Sequence, residues 1–164
     1  MLRRLIAVAG VLALAACSST PDPAAGGPGG PDGLGGRDGI GRSQFGPGSQ
    51  QDLAATAGDR VYFAYDRTEI SSEAQQILQR QADWLRRYPN VAVTIEGHCD
   101  ERGTREYNLA LGERRAQAVK NVLVALRIPQ SRISTISYGK ERPVIPISDD
   151  QSYAQNRRGV TTVN

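Results

Sequence analysis

An α/β domain is what the order of patterns in this sequence predicts, and three observations carry the prediction. The runs "VYFAY" (61–65), "VAVTIEG" (91–97) and "ISTISYG" (133–139) are β-branched and aromatic, as strands are. The stretches between them repeat apolar residues at helical spacing. A strand-helix-strand-helix-strand order implies crossovers that are at least partly parallel, so the helices cover a mixed sheet in an α+β sandwich. The roughly 105 residues involved suffice for one such core.

The elements follow in order from about Asp59. "VYFAY" is the first strand. Ser72 with Gln75 has the spacing of a capping box, and Ala74, Ile77, Leu78, Ala82, Leu85 and Tyr88 continue at helical intervals until Pro89 stops the run. In the second strand Val91, Val93 and Ile95 share one face. A helix is expected from about Tyr107 to Arg127, its apolar stripe formed by Leu111, Val119, Val122, Leu123 and Leu126. "ISTISYG" is a third strand, residues 150–157 suit a short helix, and "GVTTVN" supplies an additional C-terminal strand.

Ahead of this domain the composition changes twice. Arg3 and Arg4 precede the apolar run Leu5 to Leu14, too short to span ~30 Å of hydrocarbon. That is an export signal, expected over residues 1–16. It closes on Leu14-Ala15-Ala16-Cys17, which resembles the lipobox of bacterial lipoproteins, where the cysteine is acylated and becomes the first mature residue. The resemblance implies lipid on Cys17 and, with Ser18 rather than an aspartate behind it, sorting to the outer membrane. A plain secretory signal is the alternative. Residues 21–50 are more than half Gly and Pro, so a disordered tether is expected over 17–58. Removing Arg3 and Arg4 from the 20 Lys and Arg leaves 18 against 17 Asp and Glu, close to neutral. No nucleic-acid partner is expected on that balance.

The stretch "GHCDERG" (97–103) holds the only histidine and one of two cysteines. His98, Cys99, Asp100 and Glu101 suggest a metal at first sight, but neighbours leaving a strand point to alternate faces and no second histidine exists. A Cys-His nucleophile fails for the same reason. No metal, no cofactor and no catalytic residue are therefore expected, with His98 partly buried and bonded to a nearby loop. If lipid consumes Cys17, Cys99 has no disulfide partner and is read as a small buried residue. Asp100 and Arg102 lie where a loop leaves a strand and feeds a helix, with Gly97 and Gly103 allowing a sharp turn. Arg115 sits four residues after Leu111 and four before Val119, on the stripe that faces the core. An inward arginine needs an anion. Asp100 is the candidate, either as a structural ion pair or as the acid of a pocket in which acid and base stand apart to hold a zwitterion. Asp66, after the first strand, either enters the same crevice or caps its own turn.

"EGHCDERGTREYNLALGERRAQAVKNVL" (96–123), with "VYFAYDRTEI", "ISYGKERPV" and "NRRGV", resembles the peptidoglycan-associated lipoproteins, whose C-terminal domain is OmpA-like. The resemblance covers residues 59–164 and implies a β-α-β-α-β fold with an additional strand. It also implies non-covalent binding of the diaminopimelate residue in the peptidoglycan stem peptide, whose side chain ends in ammonium and carboxylate on one carbon. Asp66, Asp100, Arg102 and Arg115 fall on the binding positions, and Tyr65, Tyr107, Asn108 and Leu111 on pocket-lining or loop-fixing ones. Cys99 stands where Thr or Ala is frequent, and Ala64 where some relatives carry an acid. Partners implied by the family are peptidoglycan, the outer membrane and the Tol proteins, TolB above all, with a part in cell division. The competing readings are a cell-wall hydrolase and a purely structural lipoprotein whose ion pair only stabilises the fold.

Overall fold

A computed structural model of the chain describes residues 45–164. Its elements are α1 (Gln50–Thr56), β1 (Arg60–Tyr62), α2 (Ser72–Arg87), β2 (Val93–His98), α3 (Arg105–Ala125), β3 (Ile133–Gly139), α4 (Asp150–Asn156) and β4 (Arg158–Val163), with a 3-10 turn at Gln130–Arg132. The sheet order is β1-β4-β2-β3. β2 and β3 are parallel, joined by the crossover α3, whereas β4 lies antiparallel to both β1 and β2. This is the mixed α/β architecture expected from the element order.

Alternation decides which face is covered. Val61, Val93, Ile95 and Ile133 turn toward α2 and α3, where Leu78, Leu85, Val119 and Leu123 complete a closed core. Each such side chain contributes about 1.5–3 kcal/mol when fully buried. Arg60, Tyr62, Thr94, Glu96 and Ile136 occupy the other face, in register across the strands.

α3 lies directly on β2 because two glycines meet there. A Cβ on Gly97 would stand 1.8 Å from the Gly112 carbonyl oxygen, and one on Gly112 would stand 2.2 Å from Ser137 Oγ. Gly97 therefore permits close approach instead of the sharp turn expected of it; Gly103, at φ 93°, is the residue that turns. Leu111 and Arg115, on the same side of α3, are thereby carried to the end of β2.

Four expectations shift. The tether was expected to stay disordered through 58, yet α1 is ordered: Ser49 caps it by accepting from Asp52 N, Leu53 enters the core, and Asp52 Oδ2 accepts from Trp84 Nε1 at 3.0 Å. Two anchor residues suffice where the surrounding composition is Gly-rich. α2 is capped by Ser71, which accepts from Ala74 N, and not by Ser72. β1 is shorter than "VYFAY": after Tyr62 only Phe63 still bonds across, to Arg157 O, and Tyr65 turns out to solvent. The fourth shift, in α3, is small: it spans 105–125 against the expected 107–127. The signal at residues 1–16, Cys17 and the tether to residue 44 lie outside the described residues.

Candidate functional site

β2 ends at His98, and the chain leaves it as a loop that crosses the N-terminus of α3. A cavity of about 200 Å³ opens there. It is lined by Tyr65, Asp66, Asp100, Arg102, Tyr107, Asn108, Leu111 and Arg115, which are all eight residues singled out from the sequence, together with Cys99, Gly103 and Arg157. Asp66 reaches it although β1 and β2 are not neighbours, since β4 lies between them. Its backbone adopts φ 52°, a left-handed conformation that aspartate tolerates, and its carboxylate accepts from the Tyr107 hydroxyl of α3.

The expected pair of Asp100 with Arg115 does not form. Arg115 is wholly buried and donates instead to three backbone carbonyls, Arg67 O (2.9 Å, Nε), His98 O (2.9 Å, Nη1) and Ala64 O (3.1 Å, Nη2). The inward arginine is satisfied by neutral carbonyl oxygens and not by the carboxylate expected. Two of its five N–H groups are left after these bonds. Its guanidinium carbon lies 5.1 Å from the Phe63 ring centroid, and burial pulls its pKa down. It stays charged regardless.

Asp100 pairs with two other arginines. Its Oδ2 accepts from Arg102 Nη2 at 2.6 Å and from Arg157 Nη1 at 3.1 Å, and its Oδ1 from Arg102 N at 3.2 Å. Burial alone would raise the Asp100 pKa, but the hydrogen bonds from Arg102 and Arg157 outweigh it and hold the carboxyl below its ordinary value. Arg102 is clasped between aromatic rings, 4.1 Å from the Tyr65 centroid and 4.5 Å from that of Tyr153. Three guanidiniums thus face two carboxylates around one cavity, which favours a ligand that carries more anionic than cationic groups.

His98, Cys99 and Asp100 point apart, as strand geometry requires. His98 is wholly buried where partial burial was expected, with its Nε2 3.3 Å from Glu96 Oε2 on its own strand and the Arg142 backbone of the loop after β3 also beside its ring. Buried Cys99 donates to Asn108 O, and burial pushes its thiol pKa up, so it is an unreactive space-filler. Among the described residues no group of three or more His, Cys, Asp or Glu could hold a metal.

Arg157 was missed, although "NRRGV" contains it. It joins the site by donating from Nε to Phe63 O (3.0 Å) and from Nη1 to Asp100. Consecutive arginines at the start of a strand must face opposite ways, so one of Arg157 and Arg158 had to meet the cavity side. Nothing local said which. Tyr153 on α4 was missed as well, since a single tyrosine in a short helix carries no pattern.

Residues 62–157 match the OmpA family. A curated peptidoglycan-associated lipoprotein of Rhizobium meliloti (strain 1021) is 49% identical over 162 residues, covering 97% of this chain and 86% of its own. The chain belongs to the peptidoglycan-associated lipoproteins of the OmpA family. Another such lipoprotein, from Agrobacterium fabrum (strain C58 / ATCC 33970), is 59% identical over 117 residues, 71% of this chain and 66% of that relative. The crystal structure of the peptidoglycan-associated lipoprotein from Burkholderia pseudomallei superposes with a TM-score of 0.63 at 40% identity, over 65% of this chain and 90% of that one. The C-terminal domain of Helicobacter pylori MotB gives a TM-score of 0.61 at 21% identity, over 65% of this chain and 84% of that one, and shows that the OmpA-like fold extends beyond the lipoproteins.

Proposed function

We propose that this protein is an outer-membrane lipoprotein, anchored by lipid on Cys17, whose periplasmic domain binds the diaminopimelate end of the peptidoglycan stem peptide without changing it. The observation that carries this reading is the set of two carboxylates and three guanidiniums around one cavity, in a chain whose relatives are named for peptidoglycan. Asp100 keeps one acceptor position beyond the three bonds it already receives, and with Asp66 it offers a seat for an ammonium. The two remaining donors of Arg115, with Arg102 at the rim, suit carboxylates. Arg115 is held by three carbonyls before any ligand arrives, so little ordering cost falls on binding.

Hydrolysis is disfavoured because Asp100, held below its ordinary pKa by arginines, makes a poor general acid. Membership of the Tol-Pal system, with TolB as partner and a role in constriction during division, belongs to the same proposal on family resemblance.

Co-sedimentation of the full chain with intact peptidoglycan tests the reading, with soluble fragments monitored in the supernatant. We expect wild type to sediment, folded Asp100→Asn to remain largely in solution, and no fragments to appear. Fragment release would point to a hydrolase. Equal sedimentation of both proteins would remove Asp100 from the site.

A further inference from the structure

Four consecutive carbonyls in the loop after β2 are taken by only two side chains. Asn108 Nδ2 donates to Arg102 O (2.8 Å) and Thr104 O (3.1 Å), while Lys140 Nζ donates to Glu101 O (3.0 Å) and Gly103 O (2.7 Å). Asn108 lines the cavity; Lys140, which follows the last residue of β3, is not among the lining residues.

We propose that Lys140 is a positioning residue for ligand binding: its ammonium latches the loop so that Asp100 and Arg102 face the cavity. This rests on the binding reading above. The loop needs such a latch because Gly103 sits at φ 93° and glycine gives the free chain many alternatives to that state. The ammonium has three donors, two of which are used on the loop, and hydrogen bonds from a charged donor are the stronger kind. The carbonyls it holds flank Arg102, and Arg102 in turn makes two of the three bonds to Asp100. Tyr153 of α4 secures the same stretch from another side, donating to Glu101 Oε1 at 2.7 Å while its ring lies on Arg102. The geometry of the acid and base is thus set by β3 and α4 as well as by the loop itself.

The test compares Lys140→Met and Lys140→Arg in the full chain. Calorimetry with a soluble disaccharide-tripeptide ending in diaminopimelate reads affinity, and amide hydrogen exchange without ligand reads the loop. Lys140→Met should raise Kd about tenfold through lost preorganisation and speed exchange at residues 101–104 by a similar factor, leaving amides of β2 and β4 as they were. Lys140→Arg, which can still donate to both carbonyls, should stay within about threefold of wild type. A loosened loop with unchanged Kd would overturn the positioning role, and so would an unchanged loop. Faster exchange throughout β2 and β4 would make Lys140 a general structural residue instead. If wild type binds no such ligand, the binding reading itself fails, whereas loop exchange still decides whether Lys140 is the latch.

Discussion

Arg115 and Arg132 do the same local work at opposite ends of β2, and only Arg115 lines the cavity. Arg132 donates from Nε to Val91 O (2.8 Å) and from Nη2 to Leu85 O (3.0 Å) and Tyr88 O (2.8 Å), tying the end of α2 to the approach to β2. Arg115 ties Ala64, Arg67 and His98 in the same manner. Among the described residues neither makes an ion pair. The difference lies in the surroundings: burial alone shifts the Arg132 pKa downward, whereas Arg115 also feels Cys99, Arg157 and Asp100. A carbonyl-clamping arginine is structural in itself. It becomes ligand-facing where its spare donors open on a cavity with an acid opposite.

The largest expected effect tests the structural half of that comparison. Arg115→Ala strands three carbonyls and should cost about 4 kcal/mol or more in urea unfolding. Full burial of the side chain makes this a loss of the fold before it is a loss of any ligand. Arg115→Ala that unfolds like wild type would show that the clamp contributes little.

Acid should strike the Arg115 end selectively, because its partner His98 is buried neutral. Burial, then the charges of Arg158 and Arg142, lower the His98 pKa from 6.5 to about 4, with Glu96 beside its Nε2 and Tyr138 5.5 Å from its ring. The unfolded chain therefore binds the proton first as pH falls. Stability from His98 is complete above about 6.5, declines between 6.5 and 4, and is lost below, a total of roughly 3 kcal/mol. Unfolding free energies from pH 7.5 to 3.5 should show this slope in wild type and lack it in His98→Gln.

Arg132→Ala should cost about 2 kcal/mol while the folded fraction sediments with peptidoglycan like wild type. Loss of binding in a folded Arg132→Ala protein would break the comparison outright. The smallest effect concerns the helix that Arg132 caps at its other end: Ser71→Ala should cost about 1 kcal/mol and Ser72→Ala much less, since Ser71 makes the capping bond.

Much of the site was legible in the sequence because its residues carry a motif and a periodicity. The placement of Arg115 between Leu111 and Val119 foretold its burial, and the strand-leaving geometry of residues 98–100 foretold that they would diverge. The partners were not legible. Asp100 had several arginines within reach of a plausible fold; Arg102 is two residues along its own loop, whereas the choice of Arg157 depends on β4 lying beside β2, a pairing between segments some sixty residues apart. α1 was hidden for another reason: its helix is stabilised by Leu53 and Asp52 meeting α2, not by its own seven residues.

By itself the sequence determined the succession of strands and helices from β1 onward and the residue types offered to the cavity. Those properties follow from local periodicity and short motifs, which neighbouring residues express without help from distant ones. Tertiary structure alone decided that β4 separates β1 from β2, that Arg115 clasps carbonyls while Arg102 and Arg157 hold Asp100, and that Lys140 latches the loop. Each of these is a choice among equivalent donors and acceptors, and distance settles such a choice only once the chain has packed.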